Sequence, residues 1–403
     1  MTNREVEKNV RHAIDRLLLE QGVYTPLELL LAEGRLLYAD YEAWRMGKGG
    51  FLDECLFGDP EQSRLFFEKG AAYAEDLGLE AESFSYPKWG GGEGKKLRFS
   101  TDSVFDRLFN TRYRKPADAP QLDLFMDATG VTLVNGVTAT LKERNYAEAR
   151  RLLERLFDAD PGNSQIGDLE LLVSATESLH LTVEDASAEL GYLEQELAPL
   201  AGDKLGSGSR DFLAPFWQRL LKALQDEPFD PDHPKLHASY PAIQLEAWNQ
   251  VQRSIEAEKN WSGDPLLLRR YARACGRLQQ NELAASYWFR LCWHFPNQAD
   301  AIGREAESIW RSRWQRFIGL EPELDSKDFP AWSLLEQPGF ILRLTDTACM
   351  TDVEAPEDYL VTADLVTAGV AAVPAADLIK QRRRLKDLNP DLFAHYLDRF
   401  GRG

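Results

Sequence analysis

Cysteine and histidine are scarce in this sequence, and their spacing excludes the common metal and disulfide sites. The chain has 4 Cys and 6 His among 403 residues. No CxxC pair and no HExxH motif occurs, so we expect neither a zinc site nor a disulfide framework. No GxSxG motif marks a nucleophilic serine. The sequence therefore predicts no metal, no organic cofactor and no catalytic residue of a recognisable kind. The cysteines are Cys55, Cys275, Cys292 and Cys349.

Long apolar runs and excess positive charge are also missing. No apolar run reaches the ~18 residues that a membrane span requires. The formal net charge of −18 repels phosphate backbones, whose neutralisation by Lys and Arg supplies most of the affinity for nucleic acids. The densest basic patch would neutralise few phosphates, and we interpret it as a solvated helix face. We therefore predict a cytoplasmic protein with reduced thiols that binds neither membranes nor nucleic acid directly. The patch comprises Arg382, Arg383, Arg384 and Lys386.

Apolar residues, in contrast, are plentiful enough for a folded protein. Hydrophobic residues make up 44% of the chain and charged residues 28%, proportions close to those of an average globular protein. A single core holds roughly 100–200 residues, so a chain of this length predicts about two to four packing units.

Helix-start signals recur along the chain and predict an all-α fold. Thr25 precedes Pro26 and Glu28, which is the order of a capping residue, a first-turn proline and a capping-box acid. Asp59 and Pro60 repeat the first two of these signals. Residues 1–88 are therefore predicted to form an N-terminal helical module with helices that begin near residues 26 and 60.

Glycine and proline divide the rest of the chain. Residues 89–130 are rich in both and are predicted to be a connector with one short helix near 102–110. Residues 131–318 return to helical periodicity, and the Gly/Ser stretch 202–209 predicts a flexible break within them. Residues 319–403 are predicted to form a C-terminal helical extension or cap.

Two segments share the helical spacing A-x3-[LW]-x2-L-x4-P, and each opens with an Asn, Asn145 or Asn281, that is placed to cap a helix. They resemble the second helix of a tetratricopeptide repeat, in which a small residue lets paired helices approach and Pro ends the unit. The resemblance covers about 65 residues and implies helix pairs. Because residues 166–200 and 211–260 lack the signature, we expect an irregular helical-repeat solenoid or bundle. The shared positions are Ala149, Leu153, Leu156 and Pro161 in the first segment and Ala284, Trp288, Leu291 and Pro296 in the second.

The segment FDPDHPKLH contains two aspartates and two histidines, the only local set that suggests a metal site, near residues 230–237. Its three prolines prevent a regular helix, so the two imidazoles need not share a face, and a Pro-rich loop between helices is the favoured interpretation. The four side chains are Asp230, Asp232, His233 and His237.

Aromatic residues form a stripe at helical spacing, Trp310, Trp314 and Phe317. Such a stripe is either core or a platform on which bases stack. The acidity of the chain opposes base stacking, so the pattern favours core.

The connector contains the pentapeptide QLDLF, which comprises Gln121, Leu122, Asp123, Leu124 and Phe125. It resembles the peptide by which bacterial replication and repair proteins dock on the β sliding clamp, whose pattern is Gln-Leu-Ser/Asp-Leu-Phe. The resemblance implies that Gln121 hydrogen-bonds at a pocket rim while the leucines and Phe125 fill a hydrophobic cleft. In the alternative, the preceding proline starts a short helix whose apolar residues pack on the protein itself, since their exposure to water is costly.

The predicted function is that of a non-catalytic bacterial scaffold or adaptor for protein partners, with the β sliding clamp as the candidate partner. Two alternatives remain. One is an enzyme of unrecognised type with a metal site near residues 230–237. The other is an accessory component of a toxin, effector or antiphage system whose activity lies in a partner chain.

Overall fold

The computed structural model describes residues 10–11, 13–18, 22–90, 96–114, 128–306, 308–339, 355–370 and 375–400. The chain divides into two compact units, unit 1 (Met1–Ala247) and unit 2 (Trp248–Gly403). Helices make up most of both units, so the predicted all-α fold is confirmed. None of the helices in the described ranges combines the length and the apolar character that a membrane span needs.

Unit 1 begins with helical residues at 13–18 and continues through short and medium helices. They are α1 (Pro26–Ala32), α2 (Tyr38–Arg45), α3 (Pro60–Asp76), α4 (Ser103–Phe109), α5 (Ala128–Lys142), α6 (Tyr146–Ala159), α7 (Ile166–Glu177), α8 (Ala186–Tyr192), α9 (Ala198–Leu205), α10 (Ser209–Ala223) and α11 (Ser239–Gln244). A π-helical stretch, Leu193–Leu197, joins α8 to α9, and 3-10 turns occur at Leu52–Cys55, Ser178–His180 and Gly206–Gly208.

Unit 2 is likewise helical. Its helices are α12 (Trp248–Glu256), α13 (Pro265–Arg277), α14 (Asn281–His294), α15 (Ile302–Glu305), α16 (Ser308–Phe317), α17 (Phe329–Glu336), α18 (Glu357–Val370), α19 (Ala375–Leu388) and α20 (Pro390–Phe400). The 3-10 turns lie at Trp261–Gly263, Pro296–Ala301 and Ser326–Asp328.

Local capping signals in unit 1 act as the sequence predicted. The hydroxyl of Thr25 accepts the N–H of Glu28 at 3.3 Å and starts α1. The carboxylate of Asp59 accepts the N–H of Glu61 at 3.0 Å and starts α3. In the connector, Asp102 caps α4, so the short helix predicted there is confirmed.

A small antiparallel sheet in unit 1 was not predicted. It consists of β1 (Val23–Tyr24), β2 (Glu80–Ser83) and β3 (Thr111–Arg114), in the order β1-β3-β2. Strands of two and four residues are too short to show the alternating pattern from which a strand is recognised in a sequence. The sheet joins parts of the chain that are far apart in sequence.

Both segments with the shared spacing form the second helix of a helix pair, α5 with α6 and α13 with α14. The two connecting turns have the same geometry. In each turn one residue, Arg144 or Gln279, adopts a left-handed backbone, with φ of 54° and 60°. The next residue donates its N–H to a carbonyl in the last turn of the first helix, at 2.9 Å in both pairs. This is the Schellman arrangement, which ends one helix and reverses the chain.

Small residues lie where the paired helices meet. Ala149 in α6 and Ala284 in α14 are fully buried. Gly136 in α5 approaches α6 so closely that an added Cβ would lie 3.1 Å from Leu152. The capping prediction holds for Asn145, whose side chain accepts the N–H of Glu148 at 3.4 Å. It is wrong for Asn281, which is the first residue of α14 rather than its cap.

The Gly/Ser stretch 202–209, predicted to be a flexible break, is continuous with the neighbouring helices. Helix α9 runs through Leu205, and a 3-10 turn leads directly into α10. An added Cβ at Gly208 would collide with the side chain of Lys142. Glycine therefore allows close packing here, and the division between units lies after Ala247 instead.

The aromatic stripe is core, as predicted. Trp310, Trp314 and Phe317 are each no more than 3% exposed. They pack on Phe329 of α17, with ring centroids 5.0 Å from Trp314 and 5.2 Å from Phe317. These edge-to-face contacts join α16 to α17 in unit 2.

We predict that Ala149→Leu and Ala284→Leu each lower the free energy of unfolding by about 1–3 kcal/mol, because a larger side chain overpacks the contact between paired helices. Thermal and urea unfolding measure the effect. Ala147→Leu, at an exposed position of α6, is the matched control and should unfold like the wild type. Unchanged melting of both core variants would contradict the assigned contacts.

Candidate functional site

Strand β2 forms one side of the sheet and presents an edge that faces away from β3. The residue after β2, Phe84, donates its N–H to the carbonyl of Asn110 at 2.8 Å, in the same register as the β2–β3 ladder. Along an antiparallel pair of strands, residues that hydrogen-bond to the neighbouring strand alternate with residues that do not. Since Phe84 bonds to Asn110, Glu82 bonds to β3, whereas Ala81 and Ser83 do not. The backbone N–H and C=O groups of Ala81 and Ser83 consequently point outward. Both residues are exposed.

A groove of about 420 Å³ lies along this strand and helix α4. Asn110, just after α4, donates its Nδ2–H to the carbonyl of Asp106 at 2.8 Å. Its Oδ1 is buried and accepts no hydrogen bond from any described residue. Because the protein covers this oxygen, the outward-facing backbone groups of β2 are the hydrogen-bonding groups that the strand offers to a ligand. It is lined by Ala81, Glu82, Ser83, Arg98, Ser103, Asp106, Arg107, Asn110 and Thr111.

Two of the charges that line the groove are carboxylates with partners inside the protein. The Glu82 carboxylate pairs with Arg112 at 2.9 Å and with Arg114 at 3.4 Å. The Asp106 carboxylate accepts the backbone N–H of Phe99 at 2.7 Å and of the following residue at 3.2 Å. Neither carboxylate therefore pairs with the two arginines that line the same groove.

Those arginines, Arg98 and Arg107, are exposed. Arg98 donates to the carbonyls of Ser100 and Thr101, at 3.1 and 3.4 Å, so its charge has no anionic partner in these bonds. Among the described side chains Arg107 has no ion pair. Two guanidinium groups consequently face the groove with their charge available to a ligand.

Aromatic packing holds α4 in place beside β2. Phe105 and Phe109 are the buried residues of this helix. Phe109 stacks on Phe99 with ring centroids 4.0 Å apart, and Phe105 lies 5.3 Å from Phe67 of α3. The wall of the groove is therefore anchored in the core of unit 1.

A buried polar cluster connects the segment that carries the groove to the helices further along unit 1. Asp211, in the first turn of α10, is 8% exposed. Its carboxylate accepts the hydroxyls of Tyr38 at 2.8 Å and Tyr41 at 3.1 Å, both from α2. Burial first and the Asp211 charge second raise the pKa of both tyrosines well above the ordinary value. The two phenols therefore stay protonated and donate.

Trp89 extends this cluster toward the turn between α5 and α6. Two guanidinium groups lie over its ring. The guanidinium carbon is 3.9 Å from the ring centroid for Arg144 and 4.7 Å for Arg45. Arg144 also pairs with Glu42 at 2.7 Å and donates to the backbone carbonyl of Asp211 at 2.8 Å. All seven side chains of the cluster are at least partly buried, so the cluster is structural rather than an open site.

The peptide predicted to bind the β sliding clamp, Gln121 to Phe125, lies outside the described residues. Its role therefore stays a prediction. The segment follows β3, the central strand of the sheet, by a few residues in sequence.

The side chains near residues 230–237 have structural partners. His237 is 1% exposed, and its Nδ1 lies 2.8 Å from the hydroxyl of Ser239. The carboxylate of Asp230 accepts the N–H of Asp232 at 2.9 Å, as in an Asx turn. Across the described ranges, no three His, Cys, Asp or Glu side chains converge in a way that could hold a metal ion.

Two members of the basic patch also have partners. Arg384 pairs with Glu357, and Arg382 donates from Nε to the hydroxyl of Tyr396 at 3.1 Å. These contacts join α19 to α18 and α20 within unit 2.

A pair of carboxyl groups joins α17, α18 and α20 in unit 2. Asp328 is 4% exposed, and its carboxyl group lies near that of Asp358 in the first turn of α18. Asn389, just before α20, donates to Asp358 at 3.2 Å. Burial first and the negative charge of Asp358 second raise the pKa of Asp328 to about 6, against the opposing charge of Lys327. The folded protein therefore favours the protonated, neutral form of Asp328 below about pH 6.

We predict that Asp328→Asn stabilises the protein at neutral pH. The folded-state pKa is raised, so the stability that protonated Asp328 provides is complete below its ordinary pKa of about 4. It is lost as the pH rises through about 6. An amide is uncharged at every pH, so the variant should exceed the wild type by up to about 3 kcal/mol at pH 7 and by little at pH 4.

Urea unfolding of both proteins between pH 4 and pH 8 measures this difference. Asp364→Asn, at an exposed position of the same α18, should show no such pH-dependent gain. A difference between Asp328→Asn and the wild type that stays constant with pH would contradict the raised pKa of Asp328.

Comparison with protein-family models, with curated proteins and with solved structures found no match for this chain. The functional proposal consequently rests on the residues and the geometry of the site itself.

Proposed function

We propose that the protein is an interaction scaffold that binds an extended segment of a partner protein along the outer edge of β2. The carrying observation is that Ala81 and Ser83 turn their backbone N–H and C=O groups outward at exposed positions beside a groove. A peptide that pairs with two residues spaced in this way adds a strand to the sheet. Backbone hydrogen bonds then supply affinity, and the groove supplies specificity.

The surrounding architecture supports such a role. Buried aromatic rings hold α4, which forms the wall of the groove. In the Asp211 cluster, hydrogen bonds join α2 to α10, and Arg144 in the α5–α6 turn packs over Trp89. A docking surface on a rigid support loses little conformational entropy on binding. The helix pairs of unit 1 would then serve as the body that carries the surface.

We predict that Ser83→Pro prevents edge pairing while the sheet stays intact. The Ser83 N–H points away from β3, so its replacement removes a donor only from the free edge. The probe is a fluorescein-labelled octapeptide of alternating Val and Thr, titrated with protein and followed by fluorescence anisotropy. We expect wild-type binding at about 0.1–1 mM and at least about tenfold weaker binding by the variant.

Ser83→Ala is the matched control, since it changes the side chain but keeps the N–H, and it should bind like the wild type. Circular dichroism and melting report whether each variant is folded. Equal binding by folded Ser83→Pro would show that the peptide does not pair with this edge.

A second interaction is favoured by the sequence QLDLF, Gln121 to Phe125. We propose that this peptide docks on the bacterial β sliding clamp, with Leu124 and Phe125 in the hydrophobic cleft. Burial of two such side chains is worth roughly 3–6 kcal/mol. The adaptor would then bring a partner held at β2 to the clamp.

We predict that the protein binds the purified clamp, and that the double variant Leu124→Ala with Phe125→Ala weakens binding at least about a hundredfold. Calorimetry measures binding, and melting of the same variant separates docking from packing. If the two side chains belong to the core of the protein, the variant loses several kcal/mol of stability. Absence of wild-type binding at tens of micromolar would exclude this partner.

A further inference from the structure

We infer that the segment bound at the β2 edge is acidic, with carboxylates on one face of an extended peptide, where they pair with Arg107 and Arg98. This inference rests on the proposed function, because it names the chemistry of the partner at the same groove. The groove has a positive balance of charge, and its cations lie where alternate side chains of an extended peptide would face them.

The charge balance near the groove is positive although the whole chain is acidic. The groove is lined by two arginines and two carboxylates. Arg112 and Arg114 both face the Glu82 carboxylate, and Glu80 lies opposite Arg114 in the strand pair, so the cluster with these partners contains four guanidinium groups and three carboxylates. A surplus of one positive charge remains, in a protein whose formal net charge is −18. Such a local reversal of sign favours an anionic ligand.

The positions of the cations match a strand-like ligand. Arg107 lies on the face of α4 that also presents Ser103 and Asn110, since these residues follow at helical spacing along the groove. On an extended peptide, every second side chain faces the same side. Acidic residues at alternate positions would therefore face α4 together when the peptide backbone pairs with Ala81 and Ser83.

The hydroxyl and amide groups that line the groove do not replace the arginines as partners for a carboxylate. Thr111 donates its hydroxyl to the carbonyl of Arg107 at 2.9 Å and so is occupied within the protein. The Oδ1 of Asn110 is buried and so does not contact a ligand in the groove. Recognition of the anion consequently depends on the guanidinium groups.

The test compares three fluorescein-labelled octapeptides of alternating sequence, Val/Glu, Val/Thr and Val/Lys, by fluorescence anisotropy against the full-length protein. We expect the Val/Glu peptide to bind about fivefold to tenfold tighter than Val/Thr at low salt, as two exposed ion pairs allow. The Val/Lys peptide should bind more weakly than Val/Thr. The preference should shrink as salt is added.

Arg107→Glu should remove the preference for Val/Glu and favour Val/Lys instead. Arg155→Glu makes the same charge change at an exposed position of α6 in unit 1, and it should leave the preference unchanged. An equal loss of preference in both variants would overturn the inference, because bulk charge would then explain the binding. The melting curve of each variant confirms that it is folded.

The remaining outcomes separate this inference from the proposed function. If Val/Glu and Val/Thr bind equally, and both lose affinity in Ser83→Pro, the edge is a docking surface but the acidic preference is wrong. If none of the three peptides binds the wild type, docking at this edge is itself wrong and the inference falls with it.

Discussion

The buried carboxylate of Asp211 is the interaction on which the architecture of unit 1 depends. It receives hydroxyls from Tyr38 and Tyr41, and the adjacent Arg210 pairs with Glu28 at 3.0 Å. An ionised carboxylate away from water is costly unless donors and cations surround it. Here α2 provides the two hydroxyl donors, and α10 itself provides the cation Arg210, whose Nε lies 3.7 Å from the Asp211 carboxylate. Because α1 provides Glu28 as the partner of Arg210, the buried charges are all satisfied only when α1 and α2 dock on α10. The cluster therefore selects one arrangement of the N-terminal helices rather than merely adding stability.

The length and the charge of β2 itself determine which ligand its edge can accept. An open strand edge is a hazard for aggregation, and proteins limit it with short strands and charged side chains. β2 has four residues and carries Glu80 and Glu82, which fits that protection. The same features restrict which peptide can pair, because the exposed length is short and the guanidinium groups of Arg98 and Arg107 stand beside it. Protection of the edge and selection of a partner thus follow from the same residues.

Local features of the chain were readable from its sequence. The caps at Thr25, Asp59 and Asp102 start helices because a side chain two or three residues before a free N–H can bond to it in any context. Burial of Ala149 and Ala284 followed from the spacing of their helices, since periodicity identifies the packed face. The shared spacing predicted helix pairs, which α5 with α6 and α13 with α14 form, although the capping role assigned to Asn281 was wrong.

Features that join distant segments required the tertiary structure. Tyr38 and Asp211 are 173 positions apart, and no local pattern marks either as part of a buried network. The sheet escaped detection because its short strands depend on pairing for their stability. Gly208 belongs to the stretch that was predicted to be a flexible break, but the side chain of Lys142 packs against it. The sequence by itself determined the helices, the caps and the paired faces, because these depend on neighbours along the chain. Only the tertiary structure decided the Asp211 cluster and the open edge of β2, because buried charges and paired strands are stabilised by contacts between segments that are far apart in the sequence.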